Sequence, residues 1–173
     1  SPSLRVGGYA LTSYMLMLLR LTGLSRYYFR LAVSLRGPLL DKSAELFLLR
    51  GGCILYQHLG ELQASGVTAD QGFEAGRQLG DVYSILHCRA VATWAHLFLG
   101  EYDRALEGAN QLLQLAQEAQ HVYWHAFALG MRGATALRRG QLAAAQEALD
   151  AGCAMAKKAG ALMISTYVEG AAA

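Results

Sequence analysis

Proline is nearly absent from the 173 residues: Pro2 and Pro38 are the only two. Helices therefore meet few breakers. Charge is sparse as well, at 16% of residues, and balanced, with 15 basic and 13 acidic side chains for a net +2. The only basic doublets are Arg138–Arg139 and Lys157–Lys158. Phosphate recognition needs clustered cations, so no nucleic acid is expected as a partner. Cysteine is limited to Cys53, Cys88 and Cys153, an odd number with no CxxC, which excludes a disulfide framework. The expectation is three small buried hydrophobes in a reducing compartment, hence a cytoplasmic chain. No GxxxxGK[ST] loop is present, so an ATPase site would lie outside this chain.

A long apolar run is also missing. The longest uncharged stretch near the start runs only from Val6 to Leu19 and contains Gly7, Gly8, Thr12 and Ser13. A spanning helix needs about 20 apolar residues, and a signal peptide needs a cationic lead and a cleavage site. The stretch is read as a buried helix, with no membrane expected. The chain begins without methionine and ends in Ala171-Ala172-Ala173, as a piece of a longer polypeptide would.

What the sequence has is hydrophobicity, 54% of residues, rich in the helix formers alanine and leucine. It also has an internal repeat. Gly60, Gly100 and Gly140 recur at a constant spacing of 40, and the match extends to Val82-Tyr83 with Val122-Tyr123 and to Gly80 with Gly160. A glycine after an apolar periodic stretch ends a helix by taking positive φ. Each repeat therefore reads as a helical hairpin: one helix apolar nearly all round, Ser84 to Leu99, then an amphipathic one, Asp103 to Gln120. The chain is expected to be all-α, an α-solenoid of stacked hairpins that bury their faces against one another. The expected division is a single domain over 1–173. It comprises a hairpin at 1–37, repeats at 41–80, 81–120 and 121–160, and the start of another repeat at 161–173.

Three local features are expected at the less regular copies of the repeat. Upstream the repeat is expected to shift, with Gly23 as the turn and Ser25 to Arg36 as the second helix. Pro38 is expected in the first turn of the helix that follows. The second helix after Gly60 is expected to be weak, starting as late as Thr68 with Thr68 or Asp70 as its cap, because Ser65, Gly66, Gly72 and Gly76 oppose it.

The segment Leu99-Gly100-Glu101-Tyr102-Asp103-Arg104-Ala105-Leu106 resembles the turn motif of tetratricopeptide repeats, and Gly140, Leu142 and Ala145 repeat it. The period of 40 departs from that family's usual 34 or so. It is similar to repeats in large bacterial signalling proteins that join an ATPase module to a kinase, cyclase or DNA-binding output domain. The resemblance implies a right-handed solenoid without enzymatic activity or cofactor, binding a protein or peptide on its concave face. Carried over from the family's register, the inward positions are Phe47, Arg50, Ile54, Gln57 and His58. In the next repeat they are His87, Ala90, Trp94, Leu97 and Phe98, then Phe127, Gly130, Ala134, Leu137 and Arg138. The site expected to carry binding is Arg50, Ile54, Gln57, His58, His87, Trp94, Phe98, Phe127 and Arg138, with Trp94 and Phe98 alternatively packed between repeats. The alternative function is an intramolecular sensor arm that binds a small ligand. A homodimer through an exposed terminal repeat is a further expectation.

Other constellations read as structural. His121 and His125 share a helix face but lack a third ligand, so no metal is expected. His87 and Cys88, adjacent on a helix, point about 100° apart and are not expected to form a thiol–imidazole pair. Gly7-Gly8 and Gly51-Gly52 are expected to allow close helix approach. Tyr27-Tyr28-Phe29, flanked by Arg26 and Arg30, is expected at a buried helix edge and not as a base-stacking platform.

Overall fold

A computed structural model describes residues 2–38 and 40–158. Among them are eight helices: α1 (Pro2–Leu18), α2 (Thr22–Ser34), α3 (Lys42–His58), α4 (Leu62–Leu79), α5 (Val82–Phe98), α6 (Tyr102–Glu118), α7 (Val122–Arg138) and α8 (Leu142–Lys158). The architecture is all-α, and helices that follow one another in the chain pack as hairpins, among them α1 with α2, α3 with α4 and α7 with α8. The expected further repeat at 161–173, and Gly160 before it, lie outside the described residues.

All the turns between the described helices except that between α2 and α3 share one design. At or one residue past the helix cap, a residue takes positive φ, as at Gly60 (75°), Gly80 (68°), Gly100 (79°) and Gly140 (74°). The next N–H then reaches back five residues, as from Glu61 to the Tyr56 carbonyl and from Glu101 to the His96 carbonyl, both at 2.9 Å. This satisfies a carbonyl that the helix end would leave open. Two turns achieve it without glycine: Arg20 has φ 60° and Gln120 has φ 51°. Arg20 therefore fills the slot one period before Gly60, and the expected upstream shift is wrong. Gly23 lies inside α2, which starts at Thr22.

Two other expectations are corrected. Pro38 precedes α3 instead of opening it; the cap is Asp41, whose carboxylate accepts from the Ala44 N–H at 2.7 Å. Helix α4 is continuous from Leu62, without a break at Ser65–Thr68. Its small residues serve contact. The buried Ser65 hydroxyl donates to the Cys53 carbonyl at 2.8 Å. A Cβ on Gly72 would lie 2.7 Å from Cys88 Sγ, and one on Gly76 would lie 3.2 Å from Ile85 Cγ1. Close packing against neighbours outweighs the intrinsic helix penalty of about 1 kcal/mol per glycine. Of the two glycine pairs, only Gly52 sits at a close approach, where an added Cβ would lie 2.6 Å from the Phe29 ring; Gly7, Gly8 and Gly51 do not.

The chain divides into two compact units, Ser1–Val91 and Ala92–Ala173, with the boundary inside α5. The core of the first gathers Val6, Ala10 and Met17 from α1, Phe29 and Ala32 from α2, and Leu48 and Leu55 from α3. Removing one such leucine side chain from water contributes about 2 kcal/mol. Ser13 and Ser25 bring α1 against α2, each hydroxyl donating to the other's carbonyl at 2.8 Å. Phe29 meets the Tyr56 ring edge-on at 5.7 Å, Tyr28 lies against Tyr9, and Arg26 pairs with Glu61. The aromatic cluster of α2 is thus mainly packing, with Tyr27 left exposed. In the second unit, Leu97, Ala105, Ala109, Met131 and Ala134 form one cluster and Ala126, Leu149 and Ala156 another.

Candidate functional site

Three first helices of the hairpins, α1, α3 and α5, line a groove of about 280 Å³ in the first unit. One wall is apolar: Leu11, Tyr14 and Met15 of α1 and Ile54 of α3. The other carries Phe47, Arg50, Tyr83 and His87. Helical spacing explains the wall. Phe47, Arg50 and Ile54 recur at three and four residues along α3, as do Tyr83 and His87 along α5, so each set falls on one face.

Arg50 is held in place from several sides. Its guanidinium carbon lies 5.4 Å from the Phe47 ring centroid and 5.3 Å from that of Tyr83. Its Nη1 donates to Ser84 Oγ at 3.1 Å, and Ser84 Oγ in turn donates to Asp81 Oδ2 at 3.0 Å. Asp81 is itself fixed as the cap of α5, accepting from the Ser84 N–H at 3.0 Å. Two aromatic faces and a hydroxyl thus orient a permanent cation at a groove wall. Tyr83 continues the stack onto His87, with ring centroids 5.9 Å apart and planes 20° from parallel.

Behind His87 lies a second constellation. A thiol of α3 and a thiol and imidazole of α5 converge: the donor atoms of Cys53, His87 and Cys88 all lie within 4.8 Å of one another. The expectation that His87 and Cys88 stay apart is overturned, because α3 offers a common meeting point across the angle between them. Cys53 and Cys88 are buried, as expected, whereas Cys153 is half-buried. The neighbouring Cys53 side chain lowers the Cys88 thiol against the cost of burial, with help from His87 and the Arg50 charge. The same pairing, together with burial, pushes the Cys53 thiol up. Cys53 Sγ also lies 3.1 Å from the Arg50 carbonyl, which accepts from it.

The inward positions expected from sequence are divided by the structure. Phe47, Arg50, Ile54 and His87 come together in this groove. Gln57 is half-buried and His58 exposed farther along α3, with His58 Nδ1 on the Ile54 carbonyl at 3.0 Å. In the second unit, Trp94 and Phe127 pack against the cluster around Leu97 and Met131, so much of their surface serves the core. Trp94 also meets the Phe98 ring at 4.1 Å, and Phe98 remains 51% exposed. Ala90, Leu97, Gly130 and Ala134 are buried and offer no surface, whereas Leu137 and Arg138 are exposed. Tyr14, Met15 and Tyr83 are not among the expected positions. Tyr14 is findable from the repeat, since it stands one period before Ile54, but a shift at Gly23 conceals it.

His121 and His125 line a separate hollow of about 620 Å³ with Gln117, Gln120 and Met155. Among the described residues no further cysteine, histidine or carboxylate joins them as a metal-binding set. No described helix is long and apolar enough to cross a membrane. No protein-family model matches the chain, and no curated protein is significantly similar to it.

Proposed function

We propose that the face formed by α1, α3 and α5 is a peptide-binding surface, and that the chain is a protein-binding module of a regulatory or signalling protein. The observation that carries this reading is Arg50: a cation oriented by Phe47, Tyr83 and Ser84 beside an apolar groove, with no carboxylate paired to it among the described residues. Ordering such a side chain in the free protein removes part of the entropic cost of binding. Aromatic and arginine anchors are the residue types that concentrate binding energy.

The size of the groove selects the ligand. About 280 Å³ falls just below the usual range for small-molecule pockets, roughly 300–1,000 Å³. It suits one or two side chains of a helix or extended segment, an apolar residue against Ile54 and Met15 and a carboxylate toward Arg50. The larger hollow at His121 and His125 supports a second reading, a small ligand sensed for an output domain elsewhere in the polypeptide.

A displayed library of random peptides, panned on the purified chain, tests the first reading. The enriched sequences should combine an acidic residue with a large apolar one. The best of them should bind Arg50→Ala and Tyr83→Ala at least about tenfold more weakly, a change of about 1.4 kcal/mol. Val67→Asp, on the exposed face of α4, should bind as the parent does. No enrichment over an unrelated bait, or equal affinity for Arg50→Ala, would reject the reading.

A further inference from the structure

We infer that Cys53, His87 and Cys88 form a binding site for a single thiophilic divalent metal ion, zinc being the ion they fit best. The inference does not rest on the peptide-binding reading. Two sulfurs and one imidazole nitrogen already lie within 4.8 Å of one another. Zinc–sulfur bonds of about 2.3 Å and zinc–nitrogen bonds of about 2.0–2.1 Å, arranged tetrahedrally, set such donors roughly 3.6–3.8 Å apart. Contraction by about an ångström at most completes the geometry, within the reach of side-chain torsions alone.

Ligand type and charge choose the ion. Thiolate and imidazole donors select soft or borderline ions over magnesium or calcium. Two thiolates and a neutral imidazole balance a divalent ion to zero net charge. Neutrality matters here, because Cys53 and Cys88 are 0% exposed and an uncompensated charge there would be costly. Three protein donors leave one tetrahedral position open, the pattern of sites that accept water or an outside ligand. That position has a route to solvent: His87 is 9% exposed and lines the groove, so its edge is where an ion or fourth ligand would arrive.

The repeat supplies an independent argument. Positions 47, 87 and 127 are equivalent and hold Phe, His and Phe; positions 48, 88 and 128 hold Leu, Cys and Ala. Helix α5 thus places two metal-binding residue types in slots that α3 and α7 fill with apolar side chains and α1 with Gly7 and Gly8. It does so in register with Cys53, where the later repeats carry Thr93 and Gly133. Packing alone requires none of these three departures. Gly72 completes the arrangement, since a Cβ there would lie 2.7 Å from Cys88 Sγ and displace it.

The test uses the full chain, reduced, stripped of metal by a chelator and then titrated with Zn2+ against a chromophoric chelator. One Zn2+ per chain is expected. Cobalt(II), used as a spectroscopic substitute, should give thiolate charge-transfer and tetrahedral d–d absorption. His87→Phe and Cys88→Ala install residues that the equivalent slots already carry, so the fold is expected to survive, as circular dichroism of the metal-free variants will show. These two should weaken Zn2+ binding by at least tenfold and a hundredfold respectively, while Cys153→Ser leaves it unchanged. Failure of the reduced parent to bind stoichiometric Zn2+ at micromolar concentration would overturn the inference. So would retention of binding by folded Cys88→Ala, loss of binding in Cys153→Ser, or cobalt spectra without thiolate bands.

Discussion

Replacing Gly72 with alanine sets two opposed terms against each other inside α4. Alanine in a helix interior is favoured over glycine by about 1 kcal/mol. The added Cβ would sit 2.7 Å from Cys88 Sγ, about 1 Å short of ordinary contact. Cys88 cannot swing aside without releasing Cys53 and His87, so the clash costs about 1–3 kcal/mol, as overpacking generally does. Gly72→Ala should therefore be neutral to about 2 kcal/mol destabilising in the parent chain. The remaining neighbours of that Cβ, Leu49 Cβ at 3.5 Å and Cys88 Cβ at 3.7 Å, are at ordinary contact distance. In a Cys88→Ala background the clash is gone and the same substitution should stabilise by about 1 kcal/mol. Urea unfolding of the four proteins measures this, with constant m-values as the check that only stability has changed. The coupling energy should be about 1–3 kcal/mol. If Gly72→Ala stabilises both backgrounds equally, the close approach of α4 to Cys88 is not what demands glycine there, and the packing argument fails.

Two further outcomes follow from the turns and the charges. Arg20→Gly should raise the unfolding temperature, because a non-glycine residue at φ 60° carries about 1–2 kcal/mol of strain, more than glycine's added entropy in the unfolded chain; an unchanged or lower temperature would show that the Arg20 side chain more than offsets that strain. Glu101 is held below the usual carboxylate range by its 2.7 Å hydrogen bond to His96 and, at 3.1 Å, by Arg104. Its unfolded form takes up a proton first, so its contribution is complete above about pH 4.3 and is lost as pH falls through the lower folded value. Unfolding of Glu101→Gln between pH 5 and 3 should accordingly be less pH-sensitive than the parent, and identical profiles would contradict the assignment.

How far the sequence reveals this molecule depends on where each constraint acts. Gly60, Gly100 and Gly140 are legible because positive φ favours glycine and a helix end announces itself in the chain. Arg20 and Gln120 adopt the same backbone without the favoured residue, so the first hairpin looks displaced. Helix α4 looks broken because propensity is local, whereas what holds Ser65 and Gly72 in a helix is the closeness of Cys53 and Cys88, partners that propensity does not count. In the groove, Phe47, Arg50, Ile54 and His87 are positions given by the register of the tetratricopeptide repeats that the sequence resembles. The clamp on Arg50 does not, since Tyr83 and Ser84 reach it from another helix. The meeting of Cys53 with Cys88 is invisible for a like reason: a rule about neighbours on one helix says nothing of a third group supplied by a second helix distant in sequence.

The shared backbone at Arg20, Gly60, Gly100 and Gly140 has a consequence for engineering. The chain crosses these four points, each one period from the next, with φ between 60° and 79°. A segment cut at any two of them begins and ends in the same local conformation, so splicing there joins like to like. Blocks such as 61–100 and 101–140 are thereby natural units for duplication, deletion or exchange. The groove residues of one first helix, such as Tyr83 and His87 of α5 in block 61–100, could be transplanted without redesigning a junction.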